Sequence, residues 1–189
     1  MNFDINNKVF DTFPGLITER FKLRSFTKED RDDFFFMRSS EDVMQFIDIA
    51  RHKTPEDSDI MIEKIFGMYS DKEGINWVIE DKNTGAFVGY CLIFKLDRIN
   101  CRAELGYALK PEYWGKGIAI EVIKKLLEFG FKEMRLHSIE ANINTGNSRS
   151  RKVLERSGFK KEAHFRENYF YNGKFLDSEI YCIIESDFK

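Results

Sequence analysis

Two hydrophobic rhythms meet in the middle of this chain. Ala103-Glu104-Leu105-Gly106-Tyr107-Ala108-Leu109 alternates with the period of a strand. Ile118, Ala119, Val122, Ile123, Leu126, Leu127 and Gly130 recur at helical spacing, with Glu121, Lys124, Lys125 and Glu128 opposite. Between them lies Pro111-Glu112-Tyr113-Trp114-Gly115-Lys116-Gly117. A strand over 101–110 is therefore expected to pass through a glycine-bearing turn into a helix over 116–132.

The flanking patterns supply the other elements. Residues 1–14 are mixed and read as an N-terminal arm, followed by a single domain over 15–189. A first strand is expected over 16–24. Thr27-Lys28-Glu29-Asp30 is a capping-box pattern ahead of Phe34-Phe35-Phe36-Met37. Thr54-Pro55-Glu56-Asp57 opens a second helix with proline at its first position, and its apolar face is predicted as Ile60, Met61, Ile65, Phe66 and Tyr69. The stretch 43–47 between them reads as a short helix. Residues 76–80 and 87–94 read as a hairpin. A strand over 136–143, with Ile139, Ala141 and Ile143 inward, follows the long helix. A short helix then runs from Asn147 to a stop at Gly158, and Asn172-Gly173 closes a last hairpin.

The order β-α-α-β-β-β-α-β-α-β-β predicts an α/β (α+β) sandwich. Its core would be a mixed, mainly antiparallel sheet of about six or seven strands with helices on both faces. In the last hairpin, Tyr169-Phe170-Tyr171 and Phe175 could pack in the core or form a subunit interface of a homodimer. Burial is the expectation.

Composition narrows the class. With 189 residues, 42% hydrophobic and 33% charged, the chain reads as one soluble globular domain. A net charge of −2 offers no electrostatic footprint for nucleic acid or an anionic membrane. No apolar run approaches the roughly 20 residues of a membrane span, and no signal segment opens the chain. Cys91, Cys101 and Cys182 are odd in number and scattered, which fits reduced thiols and a cytoplasmic location. His52, His137 and His164 lie far apart, and no metal-ligand cluster is apparent.

The glycine turn is the first candidate site. Gly115 and Gly117 carry no Cβ, so a ligand can approach the backbone closely. The first N–H groups of the following helix lack intrahelical partners, and the positive end of its dipole lies there. Such a turn suits phosphate or pyrophosphate, although an ordinary tight turn with a helix cap has the same spacing. Gly117 stands where a Walker loop needs Ser or Thr, and Ile120 stands where a dinucleotide fingerprint needs its third glycine.

Three motifs in order carry a resemblance. Trp114-Gly115-Lys116-Gly117-Ile118-Ala119 resembles the acyl-CoA pyrophosphate loop of the GNAT N-acetyltransferases. Asn147-x-x-Ser150-x-x-Val153-Leu154-Glu155-x-x-Gly158-Phe159 resembles that superfamily's next motif. Leu16-x-Thr18-Glu19-Arg20-Phe21-x-Leu23-Arg24 resembles the opening strand of its ribosomal-protein N-acetyltransferase branch. One departure is Glu112, where the superfamily often has Gln or Arg. Facing a pyrophosphate it would repel it, so it is expected to point away.

The resemblance implies an acetyl-CoA-dependent N-acetyltransferase with no metal, moving the acetyl group directly to a primary amine. That amine would be a protein N-terminus, as in a ribosomal protein, or a small amine such as a polyamine or aminoglycoside. A non-catalytic acyl-CoA-binding module is the rival from another class. It further implies that the strands over 101–110 and 136–143 splay apart, with the pantetheine in the gap beside the backbone of Leu109. Trp114, Gly115, Lys116, Gly117, Ile118 and Ala119 would form the pyrophosphate loop, with Asn144, Asn147, Ser150 and Arg151 completing the donor site. Arg149 and Lys152 are further candidates for the adenosine phosphates.

Direct transfer needs a proton acceptor and help for the leaving thiolate. Asn147 and Ser150 share a helix face, where capping by Asn147 is the plainer account of the pair. Many GNAT enzymes carry an acidic Tyr on this helix. None is present, so Ser150 is the candidate acid, directly or through water. Glu104 alternates to the face it shares with Gly106 and Ala108, where small neighbours leave room for a ligand. It is either a solvent-facing carboxylate or the base, and Glu140 on the next strand is the second candidate. The acceptor side is expected from the first two helices, where 27–73 holds 13 acidic and 7 basic side chains, a net of −6. His52 and His137 read as surface or structural groups.

Overall fold

The first strand is in fact two. In the computed structural model, which describes residues 4–188, β1 (Leu16–Ile17) turns back on β2 (Phe21–Arg24). Thr18 makes the turn: its Oγ1 accepts from the Phe21 N–H at 2.9 Å, and its own N–H donates to the Phe21 carbonyl at 2.9 Å. This split raises the sheet to eight strands, above the six or seven expected. A turn closed by one threonine leaves the apolar alternation around it almost undisturbed, so the pattern did not reveal it.

The others are β3 (Ile75–Asp81), β4 (Phe87–Asp97), β5 (Arg102–Leu109), β6 (Ser138–Asn144), β7 (Lys160–Tyr171) and β8 (Lys174–Ile184). They lie in the order β1-β2-β3-β4-β5-β6-β8-β7, antiparallel throughout except between β5 and β6. The fold is thus the mixed, mainly antiparallel α/β sandwich that the pattern predicts.

Both faces are covered. On one, α4 (Ile118–Glu128) lays Val122, Ile123, Leu126 and Leu127 on the sheet, and α5 (Ser148–Arg156) adds Leu154; all five are fully buried. Each such side chain contributes about 1.5–3 kcal/mol by leaving water. Ile139, Ala141 and Ile143 of β6 point into this core, as their alternation predicts. On the other face, α1 (Arg31–Ser39) and α3 (Pro55–Ser70) pack Phe34, Met37, Ile62 and Ile65 against Val78, Phe87 and Ala108. A single turn, α2 (Glu41–Met44), links them. The Thr27 capping box forms as read, with Asp30 accepting from the Thr27 N–H at 2.8 Å, and the helix start at Thr54 forms a second one, with Asp57 accepting from the Thr54 N–H at 3.1 Å.

The opening segment packs onto the domain among its described residues, with Ile5 and Phe10 buried in the main core, and two expectations change. Trp77 Nε1 donates to the Pro14 carbonyl at 2.7 Å and Tyr69 to that of Phe10 at 3.2 Å, so the segment is tied to the domain. It has too few residues to show a period, so only its contacts reveal its place. In α3, Ile60 is 57% exposed and Ile62 is buried instead, because the inward stripe runs through Ser58, Ile62 and Ile65. Phe170 and Phe175 are likewise 62% and 63% exposed, and they meet each other at 5.1 Å across the last hairpin rather than entering the core. β7 is an edge strand, exposed along most of its length.

Candidate active site

The parallel pair β5–β6 holds together for only three residue pairs: Arg102 with Ser138, Ala103 with Ile139 and Glu104 with Glu140. Beyond that point the strands part, β5 running on to Leu109 and β6 to Asn144. A cavity of about 800 Å³ opens at the divergence. Tyr107, Ala108 and Leu109 line it from β5, Trp114, Gly115, Gly117, Ile118 and Ala119 from the turn, and Asn147, Arg149, Ser150 and Lys152 from α5. Asp42, Val43, Phe46 and Ile47 complete its lining from α2 and the segment after it, and Phe46 packs against Gly146.

The glycine turn has the geometry its composition suggests. Gly115 and Gly117 both take left-handed backbone, at φ 75° and 74°, which L side chains rarely adopt. A Cβ at Gly115 would meet nothing within 4 Å, so open space lies against the backbone. Glu121 is the first residue of α4 to donate to the turn, to the Gly117 carbonyl at 3.2 Å. The N–H groups of Ile118, Ala119 and Ile120 therefore precede the ladder and are available to an anion. Lys116 does not line the cavity: its carbonyl accepts from Arg20 at 3.1 Å and its ammonium lies over the Tyr113 ring. Glu112 is exposed and absent from the lining, so it points away as expected. Arg149 stacks on the Trp114 ring at 5.0 Å, placing a cation beside the turn.

At α5 the cap and the cavity coincide. Asn147 Oδ1 accepts from the Ser150 N–H at 3.0 Å, and both residues also line the cavity. Ser150 Oγ lies 2.9 Å from the Tyr107 hydroxyl. Burial pushes the Tyr107 phenol up to about 12 against the opposing influence of that hydrogen bond.

Leu109 lines the cavity, and its carbonyl accepts from Trp114 Nε1 at 2.8 Å with a second lone pair to spare. Other predicted residues stand elsewhere. Asn144 is outside the lining; its amide donates to Asp48 at 3.0 Å and Tyr169 at 3.2 Å. Arg151 turns away to Glu179, at 3.1 and 3.2 Å, and to the Thr145 carbonyl at 3.0 Å. Burial would raise the Glu179 carboxyl, yet Lys161 and Arg151 outweigh it and hold it below the usual range. Arg151 thus serves that buried carboxylate, and the cations that α5 turns toward the cavity are Arg149, Lys152 and Arg156.

Glu104 is buried at the apex of the wedge and paired with Lys95; Glu140, its register partner, is paired with Arg102. Neither lines the cavity. By strand alternation Glu104 lies on the opposite face from Tyr107, with Gly106 and Ala108 as predicted. His52 bonds to Ser58 at 2.8 Å and His137 is exposed, both outside the cavity. Tyr107, Arg20 and Asp42 were missed from the pattern. Tyr107 is 43 positions from Ser150, and only the sheet's geometry joins them.

Among the described residues, no group of three or more His, Cys, Asp or Glu could hold a metal, and no helix is long and apolar enough to cross a membrane. A parted sheet over an anion-binding turn is the donor site of an acyl-CoA-dependent transferase. The family model for the acetyltransferase (GNAT) domain matches residues 20–160. The chain belongs to that GNAT acetyltransferase family, whose co-substrate is acetyl-CoA. It is similar to the N-acetyltransferase YoaA of Bacillus subtilis, at 34% identity over 92% of this chain and 98% of that one. A GNAT-family acetyltransferase structure from Bacillus anthracis superimposes with a TM-score of 0.82 at 28% identity, over 92% of this chain and 99% of that chain. The spermidine N-acetyltransferase of Vibrio cholerae, solved with CoA and spermine, shares the fold with a TM-score of 0.80 at 22% identity, over 89% and 98% of the two chains.

Proposed function

We propose that this N-acetyltransferase moves the acetyl group directly to the primary amine of a cationic acceptor, either a protein N-terminus or a small polyamine. The observation that carries this is the polarity of the cavity. Arg149 lies over the Trp114 ring beside the glycine turn, and Lys152 and Arg156 line the same cavity, whereas Asp42, which lines it from α2, makes no ion pair or hydrogen bond among the described residues. A polyanionic donor suits the cations and a cationic acceptor the open carboxylate.

In this scheme the N–H groups of the 115–119 turn hold the pyrophosphate. Asn147, whose amide oxygen caps α5, keeps its NH₂ for the pantetheine arm. Ser150 meets the sulfur. Glu104, or Glu140 through water, takes the amine's proton from the far side of the wedge. The thioester is already activated, so no acyl-enzyme is required. Three buried cysteines, none of them in a disulfide, are in keeping with work in the cytoplasm.

The test is an acceptor panel with acetyl-CoA: spermidine, an aminoglycoside, a peptide with a free N-terminal alanine, and a neutral amine. Thiol release and product mass are followed. Transfer to a cationic amine, lowered by Asp42→Asn through its KM, is expected. Tight CoA binding without transfer to any amine would instead identify a non-catalytic module.

A further inference from the structure

We infer that Tyr107 is a positioning residue for the transfer, fixing the Ser150 hydroxyl so that the pair presents one O–H to the departing sulfur. The inference rests on the transferase reading above and deepens it. Tyr107 belongs to β5, beyond the point where β5 leaves β6, and Ser150 belongs to the first turn of α5. Their oxygens are 2.9 Å apart, and both residues line the same cavity.

Each hydroxyl has one proton. One proton makes the shared hydrogen bond, so one O–H is always left over, whichever oxygen donates. Neither hydroxyl has another hydrogen-bond partner among the described residues. A lone serine hydroxyl turns freely; bonded to a tyrosine ring packed against the core, it has a set direction. The first hydrogen bond also polarises the second, most strongly away from water. Burial keeps the phenol protonated across the working range, so the pair does not lose its spare proton by ionising.

In the transfer, the amine lone pair forms the C–N bond and the C–S bond breaks with its electrons on sulfur. The amine's surplus proton passes to the base or to water. The sulfur accepts the spare O–H as a hydrogen bond and is protonated from water after release. The charge that develops on sulfur therefore meets a donor already in place. Sequence spacing places no tyrosine on α5; the neighbouring strand brings one to its first turn instead.

The experiment is a double-mutant cycle on the full chain, using Tyr107→Phe, Ser150→Ala and both together. Steady-state thiol release is read with the best amine of the panel, and acetyl-CoA binding by thermal shift. Each single change is expected to lower kcat by about 10²-fold with acetyl-CoA KM nearly unchanged, and the double to be no worse than the poorer single. Ser150→Thr, which keeps the hydroxyl, is expected to recover most of kcat. Tyr107→Phe at wild-type kcat, or losses that multiply in the double variant, would overturn the pairing. A drop in kcat matched by a lost CoA shift would reduce Tyr107 to a structural contact and also overturn it. A wild-type protein that transfers to no amine removes the transferase reading itself, an outcome distinct from either.

Discussion

Arg20 Nε donates to Glu121 Oε2 at 2.6 Å, while the Arg20 backbone N–H donates to Oε1 of the same carboxylate at 2.9 Å. The same guanidinium reaches the Lys116 carbonyl at 3.1 Å. The turn between β1 and β2 therefore braces the glycine turn and the first turn of α4 together. Burial would raise the Glu121 carboxyl, but Thr18 and Arg20 hold it below its usual range. Arg20→Ala is expected to weaken acetyl-CoA binding several-fold. Global stability should fall by no more than about 1 kcal/mol, because the arginine is half exposed. Calorimetric titration with acetyl-CoA, beside a urea melt, separates the two effects.

Gly117→Ala tests the turn itself. Its φ of 74° costs an alanine about 1 kcal/mol or more, and the added methyl sits at the N-cap of α4. The melting temperature should drop by a few degrees, and the stabilisation by CoA should largely disappear. A CoA-induced shift equal to that of the wild type would mean that the turn is not the phosphate cradle.

Glu104→Gln tests the base. The change keeps the shape and removes the charge that Lys95 pairs with. If Glu104 takes the amine's proton, kcat should fall and the acidic limb of the pH–rate profile should move. Full activity with an unmoved profile would assign the task to Glu140 or to water, and Glu140→Gln is the paired measurement.

His52 predicts a pH dependence of stability. Burial, then the positive charge of Arg38, holds its imidazole below its ordinary value of 6.5. The unfolded chain therefore binds the proton first. The stability tied to neutral His52 is complete above pH 6.5 and is lost as pH falls below it. Thermal melts from pH 7.5 to 5 should decline, and His52→Gln should flatten that limb. An identical slope in the variant would assign the decline to other groups.

Much of this architecture was legible in the pattern. The strand at 101–110, the glycine turn and the helix after it are neighbours in the chain, so alternation, helical period and two glycines place them, although the α-helix itself runs only over Ile118–Glu128 rather than 116–132. The same holds for the capping box at Thr27, the helix start at Thr54 and the Asn172-Gly173 hairpin, at φ 48° and 80°. Asn144 and Arg151 show the limit. Their residue types and positions suit a ligand, but Asp48, Tyr169 and Glu179, from 25 to 96 positions away along the chain, hold them.

Local free energy sets turns, caps and which face of a strand is apolar, and those follow from residues a few positions apart. What faces what across the sheet follows from register and from where β5 and β6 stop pairing. The meeting of Tyr107 with Ser150, the bracing of the turn by Arg20 and the burial of Ile5 and Phe10 all depend on that long-range geometry. The sequence alone determined the family's glycine turn and the sandwich around it; only the packed sheet decided which side chains stand in the wedge.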